Sequence, residues 1–313
     1  MEEHAPNESN GNLLFTLGSA TLKGISQVIF IENAVTGLLV LIAIFLASVP
    51  VGIIALLSSL IGACIGWFGG MDKTIVRQGL MGFNPALAGI AIAINLTGGY
   101  RWPIALAGAV ITAFVTAAMM HFMRNAGIPV FTFPYIVVSW FVLLASYRLG
   151  SIRLNPTLVP QDLSNWKLHQ EGTFNWISGL VRGIGQVYFQ GGFWSGVIIL
   201  AGVVWGGRKI GLFTVIGSAI ACLTVYGLSG EITLLNAGLY GYNAVLTILA
   251  VGVVFDAGSR MAQVTGIIAA IVSVPVTASI DSWLLPYGLP AFTFPFVLCA
   301  WVFLAARKVV PRI

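Results

Sequence analysis

The chain has 313 residues, of which 58% are hydrophobic and 8% charged, where an ordinary soluble domain is about a quarter charged. So little charge cannot cover a water-facing surface, which excludes a soluble globular fold and makes the spanning segment of roughly 20 apolar residues the unit to count. The formal net charge is +5, yet no run of Lys or Arg exceeds two residues, so the basic balance points to no nucleic-acid partner.

The first stretch, MEEHAPNESNGN, is acidic and polar and lacks the basic start and apolar core of a signal peptide; residues 1–12 read as a disordered tail. A moderately apolar segment near 13–31 leads into five strongly apolar ones, at about 35–49, 51–69, 82–97, 103–123 and 133–149. Residues 151–172, with Asn, Pro, Asp, Gln and Lys, form the longest polar stretch and read as a connector loop. A second moderately apolar segment near 173–190 leads into five more, at 193–206, 211–228, 239–255, 260–280 and 291–307. Some of the ten are only 14 to 17 residues long, short for a crossing, so broken helices are expected among them.

The two sets align in sequence as well as in hydropathy, the mark of an internal duplication. Residues 22–30 (LKGISQVIF) match 181–189 (VRGIGQVYF), and 79–87 (GLMGFNPAL) match 238–246 (GLYGYNAVL), five identities in nine each at an offset of 159. Residues 127–135 (GIPVFTFPY) return as 288–296 (GLPAFTFPF), six in nine at an offset of 161. Five crossings is an odd number, so the second repeat starts on the opposite side of the membrane and the repeats, 13–150 and 173–313, are inverted. Ten of the Lys and Arg (Lys23, Lys73, Arg77, Arg124, Arg208, Lys209, Arg260, Arg307, Lys308, Arg312) fall on the side of the termini, against five on the other (Arg101, Arg148, Arg153, Lys167, Arg182). The positive-inside tendency then puts both termini in the cytoplasm and the connector outside.

Ion-driven carriers keep ionisable groups at mid-membrane depth. Of the ten acidic residues only Glu32 and Asp256 lie close to apolar runs, both reading as interfacial, and His121, the one histidine beside a span, reads the same way. Cys64, Cys222 and Cys299 lie in apolar runs and read as packing residues. With no HExxH, no GxxxxGK[ST] and no paired His or carboxylate set, neither catalysis nor a metal or cofactor is expected.

What the halves share is neutral polarity beside aromatics: Gln27 with Phe30, Gln186 with Phe189, Asn84 after Phe83, Asn243 after Tyr242, and Thr132 and Thr293 in their Phe-Thr-Phe-Pro steps. A small polar solute leaving water needs such groups to replace its lost hydrogen bonds. Phe83 and Leu87, like Tyr242 and Leu246, are four apart and share a helix face, giving an aromatic and apolar wall suited to a thin planar solute. Pro129, Pro134, Pro290 and Pro295 each lack an N–H, which is expected to free carbonyls around the threonines. Asn84-Pro85-Ala86 spells the tripeptide of water and glycerol channels, but its partner Asn243-Ala244-Val245 does not.

These motifs resemble the urea transporter family over nearly the whole chain, from Leu22 to about Lys308. The likeness rests on the paired Gly-Ile-x-Gln-Val-x-Phe, Gly-aromatic-Asn-x-x-Leu and Gly-x-Pro-x-Phe-Thr-Phe-Pro segments, the last being the most specific. The resemblance implies an all-α polytopic membrane protein of two inverted repeats, each with five transmembrane helices and a tilted re-entrant helix. It further implies one pore per protomer of a homotrimer, set in the lipid of a bacterial inner membrane. By motif match Gln27, Phe30, Phe83 and Leu87 line the pore from one repeat and Gln186, Phe189, Tyr242 and Leu246 from the other. Thr132 and Thr293 then form a two-sided constriction at the centre. Urea is neutral and planar with four N–H hydrogens and one carbonyl, so it needs acceptors more than donors, and hydroxyls, Gln oxygens and freed carbonyls supply them. Tyr242 stands where the first repeat has Phe83, so its hydroxyl is expected either to reach water or to narrow and polarise one mouth. Passive, channel-type diffusion of urea is the expected function; the alternative is an ion-coupled carrier of another small polar solute, an amide or amine.

Overall fold

A backbone amide or carbonyl left unpaired in hydrocarbon costs several kcal/mol, and a helix pairs both within one segment, so the apolar runs of this chain have one stable form. The computed structural model describes residues 10–255, 258 and 261–310. Within them α1 (Asn10–Gln27), α2 (Ala34–Ala47), α3 (Val49–Phe68), α4 (Lys73–Arg77), α5 (Phe83–Asn95), α6 (Arg101–Met123) and α7 (Phe133–Ala145) are followed by seven more helices. These are α8 (Trp176–Gly185), α9 (Phe193–Gly206), α10 (Arg208–Gly227), α11 (Ile232–Asn236), α12 (Gly241–Leu249), α13 (Ala262–Leu284) and α14 (Phe294–Val309). The protein is thus an all-α polytopic membrane protein, and its second seven helices answer the first seven in order. Of the expected tail, residues 10–12 are the start of α1; residues 1–9, with His4, lie outside the described residues, as do Asp256, Arg260 and Arg312.

Local signals start the helices. Asn33 and Asn175 cap α2 and α8, their side chains accepting from the Thr36 and Ser178 amides. Pro134 and Pro295 fall in the first turns of α7 and α14, where a missing N–H has no helical partner to lose. They therefore begin helices, and free no carbonyl by breaking one.

The backbone repeats in detail. Phe30 and Phe189 (φ 63° and 60°), Phe131 and Phe292 (52° and 50°), and Gly79 and Gly238 (81° and 76°) are left-handed in matched pairs. At Gly79 a Cβ would lie 2.4 Å from the Gly24 nitrogen, and at Gly238 2.3 Å from that of Gly183, so both sites admit only glycine. Ser59 donates to Thr21 O at 2.8 Å as Ser218 donates to Leu180 O at 2.7 Å. The halves also grip one another reciprocally: Trp140 Nε1 donates to Pro290 O and Trp301 Nε1 to Pro129 O, both at 2.9 Å. Such exchanged contacts are what a two-fold relation between two surfaces produces.

Helices α3, α6, α10 and α13 are each long and apolar enough to cross a membrane, and α8 with α9, bent by 72° between them, makes a fifth candidate. The apolar helices α2, α5 and α7 have 13 or 14 residues, a rise of about 20 Å against a hydrocarbon core of about 30 Å. α5 and α12 are buried over nearly their whole lengths, so protein and not lipid surrounds their ends, the condition under which short membrane helices are tolerated.

The polar connector is tied to both halves. β1 (Leu96–Thr97) pairs antiparallel with β2 (Arg153–Leu154), the Asn155 amide donates to Asn95 O at 2.8 Å, and the Gln161 amide donates to Leu285 O at 3.1 Å. Farther along, the Ser164 hydroxyl and amide hold the Asp162 carboxyl below its ordinary value.

Candidate functional site

The two threonine-bearing segments follow one path. After α6 and α13 a short 3-10 turn ends at left-handed Gly127 or Gly288, and the chain passes a proline and turns at left-handed Phe131 or Phe292 to enter α7 or α14. A bulky residue at positive φ is strained and persists only where its surroundings fix it. Those surroundings are visible: Asn84 Nδ2 donates to Phe131 O at 3.1 Å, and Asn243 Nδ2 donates to Phe292 O at 3.2 Å while its Oδ1 accepts from the Phe296 amide.

At the starts of α7 and α14 the Thr132 and Thr293 hydroxyls lie 2.7 Å apart. The residues are 2% and 3% exposed, and neither hydroxyl caps its own helix. The expected two-sided constriction is therefore corrected: hydroxyls at hydrogen-bond distance leave no gap between them, so the pair is a single polar spot. Tyr135 adds a third hydroxyl, 2.8 Å from Thr293 Oγ1, which also accepts from the Thr293 amide at 3.2 Å. Two helix N-termini converge here, and their dipoles make the spot electropositive.

Aromatic rings flank the pair on both sides. Phe30 meets Phe131 edge-on with centroids 6.1 Å apart, and Phe189 meets Phe292 at 5.9 Å. Each couple is completed by a ring from the other half: Phe296 lies 5.1 Å from Phe131, and Tyr135 lies 5.7 Å from Phe292. Phe255 adds a fourth ring on the first side, 5.6 Å from Phe30 and 5.4 Å from Phe131. Buried Arg307 donates to the Phe255 and Ala262 carbonyls at 3.3 Å each and to the Thr265 hydroxyl, which fixes the backbone that carries this ring. Edge-to-face pairs of this kind contribute about 0.5–1.5 kcal/mol each beyond burial, enough to hold the rings in place.

A cavity of about 520 Å³ opens onto the first side, its walls including Gln27, Phe30, Phe83, Phe131, Thr132 and Phe255, together with Met120, Met123 and Arg124. Gln27 Nε2 donates to Gln78 O at 2.9 Å, and Gln186 Nε2 donates to Ala237 O at 3.0 Å. With its nitrogen held, each amide offers its oxygen as an acceptor. So the structure brings Gln27, Phe30, Phe83 and Thr132 to one cavity, and sets Gln186, Phe189, Tyr242 and Thr293 at the matching places of the second half. Leu87 and Leu246 have no exposed surface, and Leu87 is absent from the walls of the cavity.

Three further expectations are corrected. The Tyr242 hydroxyl donates to Phe292 O at 2.8 Å, so it neither reaches water nor polarises a mouth; the turn at Phe292 offers a carbonyl within its reach. The carbonyls of Pro129, Phe131, Pro290 and Phe292 already accept from Trp301, Asn84, Trp140, and Asn243 with Tyr242, which leaves at most one lone pair on each of the first three. Asp281 lies within the last turn of α13, so acidic residues at the spans are not confined to Glu32 and Asp256. Glu32 itself pairs with Lys23 at 2.8 Å in partly solvated surroundings, and His121 is exposed on α6.

The residues that sequence reasoning did not single out are Tyr135, Phe131, Phe255, Trp140, Trp301 and Arg307. For Tyr135 the signal was present, a tyrosine against Phe296 at the ninth place of the repeated segment. For Phe255 and Arg307 there was none, because Leu96 and Ser146 stand at their places in the first half.

A sequence profile described as "Urea transporter" matches residues 19–308. Proteins named urea transporter 1 from Ovis aries and from Capra hircus are each 26% identical to this chain over 303 residues, covering 93% of it and 77% of the relative. One of the same name from Rattus norvegicus is 24% identical over 298 residues.

Proposed function

Because this chain belongs to the urea transporter family, we propose that it passes urea across the membrane by channel-type facilitated diffusion, between the flanking rings and beside the Thr132–Thr293 pair. What carries this is the matched aromatic frame, held at positive φ in both halves, on either side of one buried hydroxyl pair. A planar solute slides edge-first past the flanking rings, its N–H groups moving from the Gln27 oxygen to the threonine hydroxyls and on to the Gln186 oxygen. Leu87 and Leu246 are the apolar side chains it displaces at the centre. The converging helix N-termini oppose cations, and an anion must give up its hydration against the apolar ring walls on either side before it reaches that spot, so a neutral solute is favoured. No bond is made or broken in this passage; the chain acts as a transporter, not as an enzyme, and needs neither metal nor cofactor.

In the same proposal, residues 13–150 and 173–313 are inverted repeats of five crossings and a re-entrant helix each, joined outside the cell by 151–172. The two-fold exchange between Trp140 and Trp301 and the repeated element order support that arrangement. The distribution of Lys and Arg supports cytoplasmic termini. The protomer sits in a homotrimer, in the lipid of a bacterial inner membrane, with no nucleic-acid partner.

Stopped-flow urea efflux from proteoliposomes tests the reading. Efflux faster than from protein-free vesicles and indifferent to proton and sodium gradients is expected; no acceleration refutes it. Asp281, an exposed ionisable group in the last turn of α13, is an observation that favours an ion-coupled carrier of an amide or amine. A current or pH change on substrate addition would decide for that carrier.

A further inference from the structure

We infer that Tyr135 is a positioning residue whose hydroxyl sets the direction of the hydrogen-bond chain through the threonine pair, making Thr132 the donor that meets the solute carbonyl. This rests on the urea reading above. Tyr135 has no exposed surface, so its hydroxyl hydrogen needs a protein acceptor, and Thr293 Oγ1 at 2.8 Å is the acceptor within reach. Its oxygen is oriented by the Thr293 amide, which donates to it at 3.2 Å. Thr293 Oγ1 then receives from Tyr135, and its own hydrogen goes to Thr132 Oγ1 at 2.7 Å. The hydrogen left over is that of Thr132, the member of the pair that lines the cavity.

A pair of threonines alone has no preferred direction, because either hydroxyl can donate. The repeat shows the bare case: Phe296, which stands at the place of Tyr135 in the second half, packs on Phe131, the neighbour of Thr132, and carries no hydroxyl. The single tyrosine breaks the symmetry and fixes one donor among a wall of acceptors. A solute with a good acceptor at one end and N–H groups at the other is thereby told which way to face. Urea meets that requirement; thiourea, of nearly the same shape, presents a sulfur that accepts hydrogen bonds weakly. A site built around a donor rejects the analogue that cannot use it.

The experiment measures urea and thiourea permeability in proteoliposomes holding the wild-type chain, Tyr135→Phe or Phe296→Tyr. Tyr135→Phe removes the bias and installs the side chain the second half already carries at this place. Phe296→Tyr removes the bias by the opposite route, adding a matching hydroxyl. Both leave the two directions of the pair equally populated, so that Thr132 presents its hydrogen only half the time; urea permeability is expected to fall about twofold with that of thiourea unchanged, so that the urea to thiourea ratio falls. A merely structural role would lower both permeabilities together in Tyr135→Phe, and an unchanged ratio in both variants overturns the inference. Wild-type vesicles no more permeable to urea than protein-free ones would instead sink the urea reading itself, which separates the two failures.

Discussion

Thr132→Val and Thr293→Val remove the same atom from matched places, yet the structure makes them unequal in stability. In Thr132→Val only the link to Thr293 is lost. One hydroxyl hydrogen of the Tyr135–Thr293 couple is left without an acceptor, and a stranded buried group of this kind costs about 1–3 kcal/mol. Thr293→Val strands the Tyr135 hydrogen and also takes the donor from cavity-lining Thr132, so a lost hydrogen bond is added to one stranded group and the cost rises to about 1.5–4.5 kcal/mol. Valine fills the volume of threonine, so no cavity term blurs the comparison. Denaturation of the purified protein in detergent, followed by circular dichroism, should therefore rank wild type above Thr132→Val and Thr132→Val above Thr293→Val. Equal loss in the two variants, or the reverse order, would refute the asymmetric hydroxyl chain without any appeal to transport. Both variants are also expected to pass urea about fivefold more slowly.

Replacing Gln27 or Gln186 by Leu removes an amide oxygen from the path and strands Gln78 O or Ala237 O, and should slow urea efflux about three- to tenfold; normal efflux in both would count against the Gln oxygens as acceptors. Tyr242→Phe loses one donor to Phe292 O, but Asn243 still donates to that atom, so a stability loss of about 0.5–1.5 kcal/mol is expected with efflux unchanged within about twofold. A large drop in efflux would mean that the hydroxyl serves the solute after all. Gly79→Ala sets a methyl 2.4 Å from the Gly24 nitrogen in a left-handed residue, where neither backbone can yield cheaply, and should abolish recovery of folded protein. Wild-type yields from Gly79→Ala would show that this crossing has room for a methyl group.

The sequence by itself determined the membrane class, the two sets of helices, the repeat offsets and the stretches that build the site. These were legible because they are local properties: hydrocarbon selects apolar runs, a run selects a helix, and duplicated segments keep glycine, asparagine and proline where the same turn must be made twice. Gln27, Phe30, Phe83 and Thr132 were matched to a pore only through the resemblance of their motifs to a family, and it is the fold that sets them around one cavity. Only the tertiary structure decided what each polar atom does. Whether Thr132 faces Thr293 across a gap or touches it depends on how closely two helix starts approach, a distance set by the Trp140 and Trp301 braces and by the asparagines that hold Phe131 and Phe292. The Tyr242 hydroxyl and the carbonyls beside the prolines could not be assigned from sequence for the same reason: their partners are about 50 to 170 residues away. A hydrogen bond reports proximity in space, and proximity between distant segments is what folding alone supplies.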